Sequence, residues 1–166
     1  DEASLSFRES ALAYERRSQP AQAARMFGLQ GDAQSEAGKD DMAIVAFRES
    51  VKRFRELKDE PAIAAQVKNL ANALFRLNRL EEARDEIEAT LKSAPAKSAD
   101  VAALHAMLGA VYRGLKDFDK ATATSIQAIQ MSEELQDYEF AVFVATKASD
   151  ALTKLERPAD AEKVRQ

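Results

Sequence analysis

Along most of the chain, apolar residues recur every three or four positions, and a few polar residues close each such run. That spacing marks amphipathic helices, whose apolar stripe repeats with the helical turn. The third run is the clearest, with Ala43, Phe47, Ser50, Val51 and Phe54 on one face. Ile63, Val67, Leu70, Leu74 and Leu77 form the next stripe, followed by a shorter one of Leu80, Ala83, Ile87 and Leu91. Beyond the relaxed connection "SAPAKSAD" come Val101, Leu104, Leu108, Val111, Tyr112 and Leu115, and then Phe118, Ala121, Ile126 and Ile129. A long run with Ala141, Ala145, Ala148, Leu152 and Leu155 leads to a short final helix. With two opening runs, from about Ser4 to Arg17 and from Pro20 to about Ala37, the pattern predicts about nine helices and no strand.

The breaks carry their own chemistry. Pro20 suits a first helical turn, where its missing N–H removes no bond. Gly38 reads as a C-terminal stop, Asp40 as the next N-cap, and Asn78 as a left-handed C-terminal residue. "LKDEP", "KD", "LQD" and "ERP" mark the other turns. These connections are short, so sequence neighbours are expected to be antiparallel neighbours in space.

A longer period overlies the helical one. Ala43, Ala83, Ala121 and Ala161 are spaced by 40, 38 and 40 residues. Leu70-Ala71 with Leu74 stands where Leu108-Gly109 with Tyr112 stands one period later. Self-similarity at this interval signals stacked helical hairpins. The stretch "LGAVYRGLKDFDKA", residues 108–121, resembles the tetratricopeptide repeat, with Leu-Gly, Tyr and Ala at that family's offsets. The spacing has a physical reason: Gly109 lets the first helix of a pair approach the second, Ala121 is the matching small contact, and Tyr112 with Phe118 fills the wedge.

The resemblance implies an all-α, right-handed α-solenoid of stacked antiparallel hairpins in one domain over 1–166. Its units lie near 24–63, 64–101, 102–141 and 142–166, after an extra helix at 4–17. The period exceeds the family's usual interval of about 34 residues, as in kinesin light chains and bacterial regulator solenoids. Ala23 falls 20 residues before Ala43, which leaves the helix at 20–37 open to assignment as the first or second member of a pair. Ala43, Ala83, Gly109, Tyr112, Ala121 and Ala161 form the expected structural signature.

In the resembled family the first helix of each pair lines a groove that receives peptides. Carried over position by position, that groove takes Arg25, Asp32 and Glu36, then Lys68, Asn69, Asn72, Phe75 and Arg76. Met107 and Arg113 follow, and then Phe143, Thr146, Lys147, Asp150 and Lys154. From Lys68 onward the cations Lys68, Arg76, Arg113, Lys147 and Lys154 face one anion, Asp150. The expectation is an acidic segment or terminal carboxylate as partner, with Phe75 and Phe143 as apolar anchors. Lys68 with Asn72 also resembles half of the family's carboxylate clamp. Met107 and Phe143 stand where that clamp has other residues.

Composition narrows the chemistry. A net charge of −4 with both signs interspersed argues against nucleic acid as partner. There is no Cys, so thiolate catalysis and Cys-based metal sites are excluded. His105 is the single histidine, placed at a packing position with no nucleophile at fixed spacing, and it reads as structural. Glu81, Asp85 and Glu88 read as a solvated helix face, and Arg48, Lys52 and Arg55 as a stripe interleaved with acids. "FAVFVA", 140–145, reads plainly as a helix buried on two sides, and more sharply as presenting Phe143 to the groove.

No catalytic residue, metal, cofactor or small-molecule substrate is expected, and no apolar run reaches the ~20 residues that cross a bilayer. The expected function is a non-enzymatic protein–protein interaction scaffold. The alternative is a sensor or regulatory arm of a larger signalling or transcriptional regulator. The chain begins at Asp1 and ends in a short helix with Ala161 and Val164, which reads as a piece of a longer protein or an end that self-associates. No compartment is legible, and the cytoplasm is the default expectation.

Overall fold

Seven helices end in the same way. Ser18, Gly38, Lys58, Asn78, Lys116, Gln136 and Glu156 all take a left-handed backbone, with φ from 55° to 70°. The residue after each donates its N–H to the carbonyl five positions back, as Asp59 does to Phe54 and Asp117 to Tyr112. This closure satisfies carbonyls that a helix end would otherwise leave bare. In the computed structural model these features belong to residues 2–93 and 97–165, with side chains described from Ser6 onward. Residues 94–96 of the "SAPAKSAD" connection lie outside the described part.

The described residues form nine helices and no strand. They are α1 (Glu2–Arg16), α2 (Pro20–Glu36), α3 (Asp40–Leu57), α4 (Glu60–Arg76), α5 (Leu80–Ser93), α6 (Ala99–Gly114), α7 (Phe118–Glu134), α8 (Tyr138–Lys154) and α9 (Pro158–Arg165). Asp59, Asp117 and Asp137 cap α4, α7 and α8 by accepting the N–H groups of Ala62, Lys120 and Phe140 at 3.2, 3.3 and 3.1 Å. The expectation that Asp40 caps α3 is corrected: Lys39 holds the cap position without a side-chain bond, and Asp40 is the first helical residue. None of the described helices is long and apolar enough to cross a membrane.

Two compact units divide the chain, Asp1–Arg79 and Leu80–Gln166. In the first, α2 packs against α1 and α3, α3 against α4, and α2 runs beside α4. The same next-but-one relation links α6 to α8 and α7 to α9 in the second unit. A Cβ at Gly31 of α2 would lie 2.5 Å from the Phe47 ring, so the bare glycine is what lets α3 seat that ring. Ser50 donates to the Ala24 carbonyl at 2.8 Å in the same interface. Phe47, Phe54, Leu70 and Leu74 are fully buried; removal of such side chains from water contributes ~2–3 kcal/mol each.

In the second unit each helix packs on the next, and α6 also meets α8 while α7 meets α9. Ala148, Leu152, Ala161 and Val164 form a buried cluster, against which Phe118, Ile126 and Ile129 pack. Asp160 is buried at the start of α9, where Arg157 donates to it at 2.7 Å and Lys163 at 3.3 Å. Burial pushes its carboxyl up, but these bonds and charges outweigh burial and hold it below the usual carboxylate range. Across both units Ala43, Ala83, Ala121 and Ala161 are buried.

Candidate functional site

On α8, the "FAVFVA" run divides between core and solvent. Ala141 and Val144 are buried, whereas Val142 and Phe143 are 65% and 54% exposed, so burial on two sides does not hold. Phe143 stacks on Phe140 with ring centroids 6.1 Å apart, and the Lys147 ammonium lies 5.8 Å above the Phe143 ring. One turn separates Phe143 from Lys147, which places the cation over the aromatic face. Thr146, Asp150 and Lys154 are exposed on the same helix. Together they make an aromatic strip in water that carries Lys147 and Lys154 on either side of Asp150.

On α6, Arg113 is half-buried and donates to the Ser125 hydroxyl of α7 at 3.4 Å. Burial pulls its proton affinity down from the usual guanidinium value. Met107 is half-buried as well. His105 is half-buried, burial depresses its pKa, and its Nδ1 is enclosed without a hydrogen bond. Tyr112 of the same helix is buried and its hydroxyl donates to Glu88 of α5, so Glu88 is half-buried and engaged rather than part of a purely solvated face. Asp85 pairs with Arg84, at 2.7 Å.

In the first unit, α4 carries Lys68, Asn72, Phe75 and Arg76. Lys68 and Asn72 are half-buried, while Phe75 and Arg76 are exposed. Arg76 donates through Nε to Asp40 at 2.9 Å, and through Nη2 to both Asp40 and Ser35. That hydrogen bonding holds the Asp40 carboxyl below its ordinary range. Asn69 donates to Asp32 of α2 at 3.0 Å. Burial, and then Glu36, pushes the Asp32 carboxyl up; the Asn69 bond and the Lys68 charge pull against them. The cations of α4 therefore sit beside acids from α2 and α3.

Ser35, Asp40 and Glu88 were missed as partners in the sequence. A signal for two pairs exists: Asp40 to Arg76 and Asp32 to Asn69 span 36 and 37 residues, close to the repeat interval.

The small-aromatic-small geometry at 108–121 coincides with a family match. The tetratricopeptide repeat family matches residues 102–135, covering most of α6, all of α7 and their turn. Residues 102–135 are a tetratricopeptide repeat. Among solved structures, that of BtubC (BKLC) from P. vanneervenii aligns with 98% of this chain and 69% of its own, at 22% identity and a TM-score of 0.76. MamA 41-end from Desulfovibrio magneticus RS-1 covers 99% of this chain and 92% of its own, at 16% identity and a TM-score of 0.62. The MamA RS-1 ArsTM double mutant covers 99% and 91%, at 18% identity and a TM-score of 0.59. At such identities the likeness is one of fold. No curated protein matches the chain significantly. A tetratricopeptide repeat within a helical-repeat fold points to a protein–protein interaction scaffold, a class that is generally non-enzymatic.

Proposed function

We propose that the chain is a non-enzymatic scaffold whose first-of-pair helices receive a peptide or protein segment, and that α8 selects an acidic one. The observation that carries this reading is the exposed Phe143 ring with Lys147 above it. An aromatic anchor in water gains from burial under a partner side chain, and a neighbouring ammonium favours a carboxylate beside it. Lys154 adds a second cation nearly two turns beyond Lys147, with Asp150 between them, and Arg113 adds a cation on α6. In the first unit, Arg76 and Lys68 are balanced by Asp40 and Asp32. There Asn72 serves the partner's backbone and Phe75 its apolar side chains. Affinity for one short segment is on the order of micromolar, which suits reversible assembly.

Titration of labelled acidic and basic decapeptides by fluorescence anisotropy tests the reading. The acidic peptide is expected to bind tighter, and Lys147→Glu with Lys154→Glu to weaken it by about tenfold or more. Phe143→Ala weakens both peptides. Equal binding of the two peptide classes by wild type would rule the proposal out.

A further inference from the structure

The helices α1 and α3 flank α2 but leave a cavity of about 500 Å³, within the range of ligand sites. In the second unit the corresponding trough, between α7 and α9, is smaller, about 280 Å³, with Ile126 and Ile129 packing onto the cluster that includes Ala161 and Val164. The trough between α1 and α3 is the larger of the two. The trough is lined by Leu12 of α1, Phe27 of α2, and Met42, Val45 and Ala46 of α3. Val45 and Met42 are 69% and 51% exposed, the opposite of what a helix packed on its neighbour presents.

One end of the trough is shut. Arg53 lies 4.3 Å above the Phe27 ring and bonds Glu15 of α1 at 3.1 Å through Nε. It also pairs with Glu49, the acid of the lining. From Met42 to Arg53 the wall runs eleven residues along α3, which is ~16 Å or three helical turns. That length accommodates one partner helix presenting anchors at i, i+4 and i+7. Arg8 stands in the lining of the apolar part, while Glu49 is already engaged by Arg53, so the charge left to complement is positive.

We infer that the trough between α1 and α3 receives an acidic amphipathic helix of a partner protein, its apolar face against Val45 and Met42 and a carboxylate opposite Arg8. It shares no residue with the α4, α6 and α8 surfaces, and neither reading depends on the other.

The test is selection of a displayed library of 14-residue helical peptides on the full chain, counter-selected on Val45→Glu. Val45 is exposed, so this variant keeps its fold by circular dichroism; Met42→Glu serves as the second variant. The expected result is enrichment of peptides with apolar i, i+4 and i+7 positions flanked by Asp or Glu. These should bind Val45→Glu and Met42→Glu at least tenfold more weakly. Arg8→Glu should weaken them about tenfold and be rescued when the facing peptide acid becomes Lys. Lys147→Glu should leave them unchanged. The inference is overturned by enrichment of basic or extended peptides, by binding indifferent to the Val45 and Met42 variants, or by no enrichment. It is equally overturned if the chain dimerises and Val45→Glu dissociates the dimer, for then a second copy fills the trough.

Discussion

Gly109 has no room for a methyl group. A Cβ there would lie 2.6 Å from the Ser125 hydroxyl and 3.2 Å from the Ala121 carbonyl, and the carbonyl belongs to α7's own backbone. Ser125 could turn away only by giving up its 2.8 Å bond to that carbonyl. Ala is the better helix former by ~1 kcal/mol, but overpacking at a rigid wall costs ~1–3 kcal/mol. Gly109→Ala is therefore expected to destabilise by ~1–2 kcal/mol in urea unfolding. Gly114→Ala should be neutral or mildly stabilising, because its Cβ would meet only the movable Leu80 methyl at 2.6 Å. Tyr112, three positions on from Gly109, supplies a pH signature. Burial first, and then the bond to Glu88, pushes its phenol from 10.0 up to about 12. A raised folded pKa adds stability that is complete below pH 10.0 and is lost as pH climbs toward about 12. Wild type should lose stability across that window relative to Tyr112→Phe, whose curve lacks this component; parallel curves would show that the phenol does not couple to folding.

At the scale of the element, the turns teach most about what a sequence discloses. Of the seven left-handed positions, only Gly38 and Asn78 are of types that favour that backbone. At the others a Ser, Lys, Gln or Glu adopts it at ~1–2 kcal/mol, offset by the N–H bonds that close the helix end. Polar turns were legible there, but their conformation was not, since it comes from the hydrogen-bond closure rather than from the side chain. The N-caps show the same limit. Lys39 has φ −96° and ψ 57°, near the −92° and 69° of Asp137, yet Asp137 caps α8 with its side chain and Lys39 does not cap α3. Backbone geometry suited to capping is present without the oxygen. Lys39→Asn is expected to stabilise the chain by ~0.5–1 kcal/mol, and Asp137→Ala to destabilise it by ~1 kcal/mol. Thermal unfolding of the two variants beside wild type measures both signs.

Over the whole molecule, helix count and repeat interval were readable because apolar stripes and small residues recur with fixed periods. The electrostatics of the α4 surface were not, because they depend on partners nearly one repeat away. Arg76 counts as a free cation until Asp40, 36 residues earlier, is seen beside it. Lys147 needed no such knowledge, since Phe143 lies one turn away on its own helix. Stacked helices hold stability mainly between nearest neighbours, and this yields a prediction for the second unit. Leu152 is fully buried in the cluster with Ala148, Ala161 and Val164, on α8 and α9. Leu152→Ala removes ~2–5 kcal/mol of transfer and packing energy from that cluster. Hydrogen exchange on the full chain should then show α8 and α9 losing protection about thirtyfold or more, the equivalent of ~2 kcal/mol. Helices α5 and α6, whose buried contacts include Ile87 and Leu104 rather than Leu152, should lose much less. Equal loss across all five helices would mean that the unit opens as one cooperative body, and the nearest-neighbour account of its stability would fail.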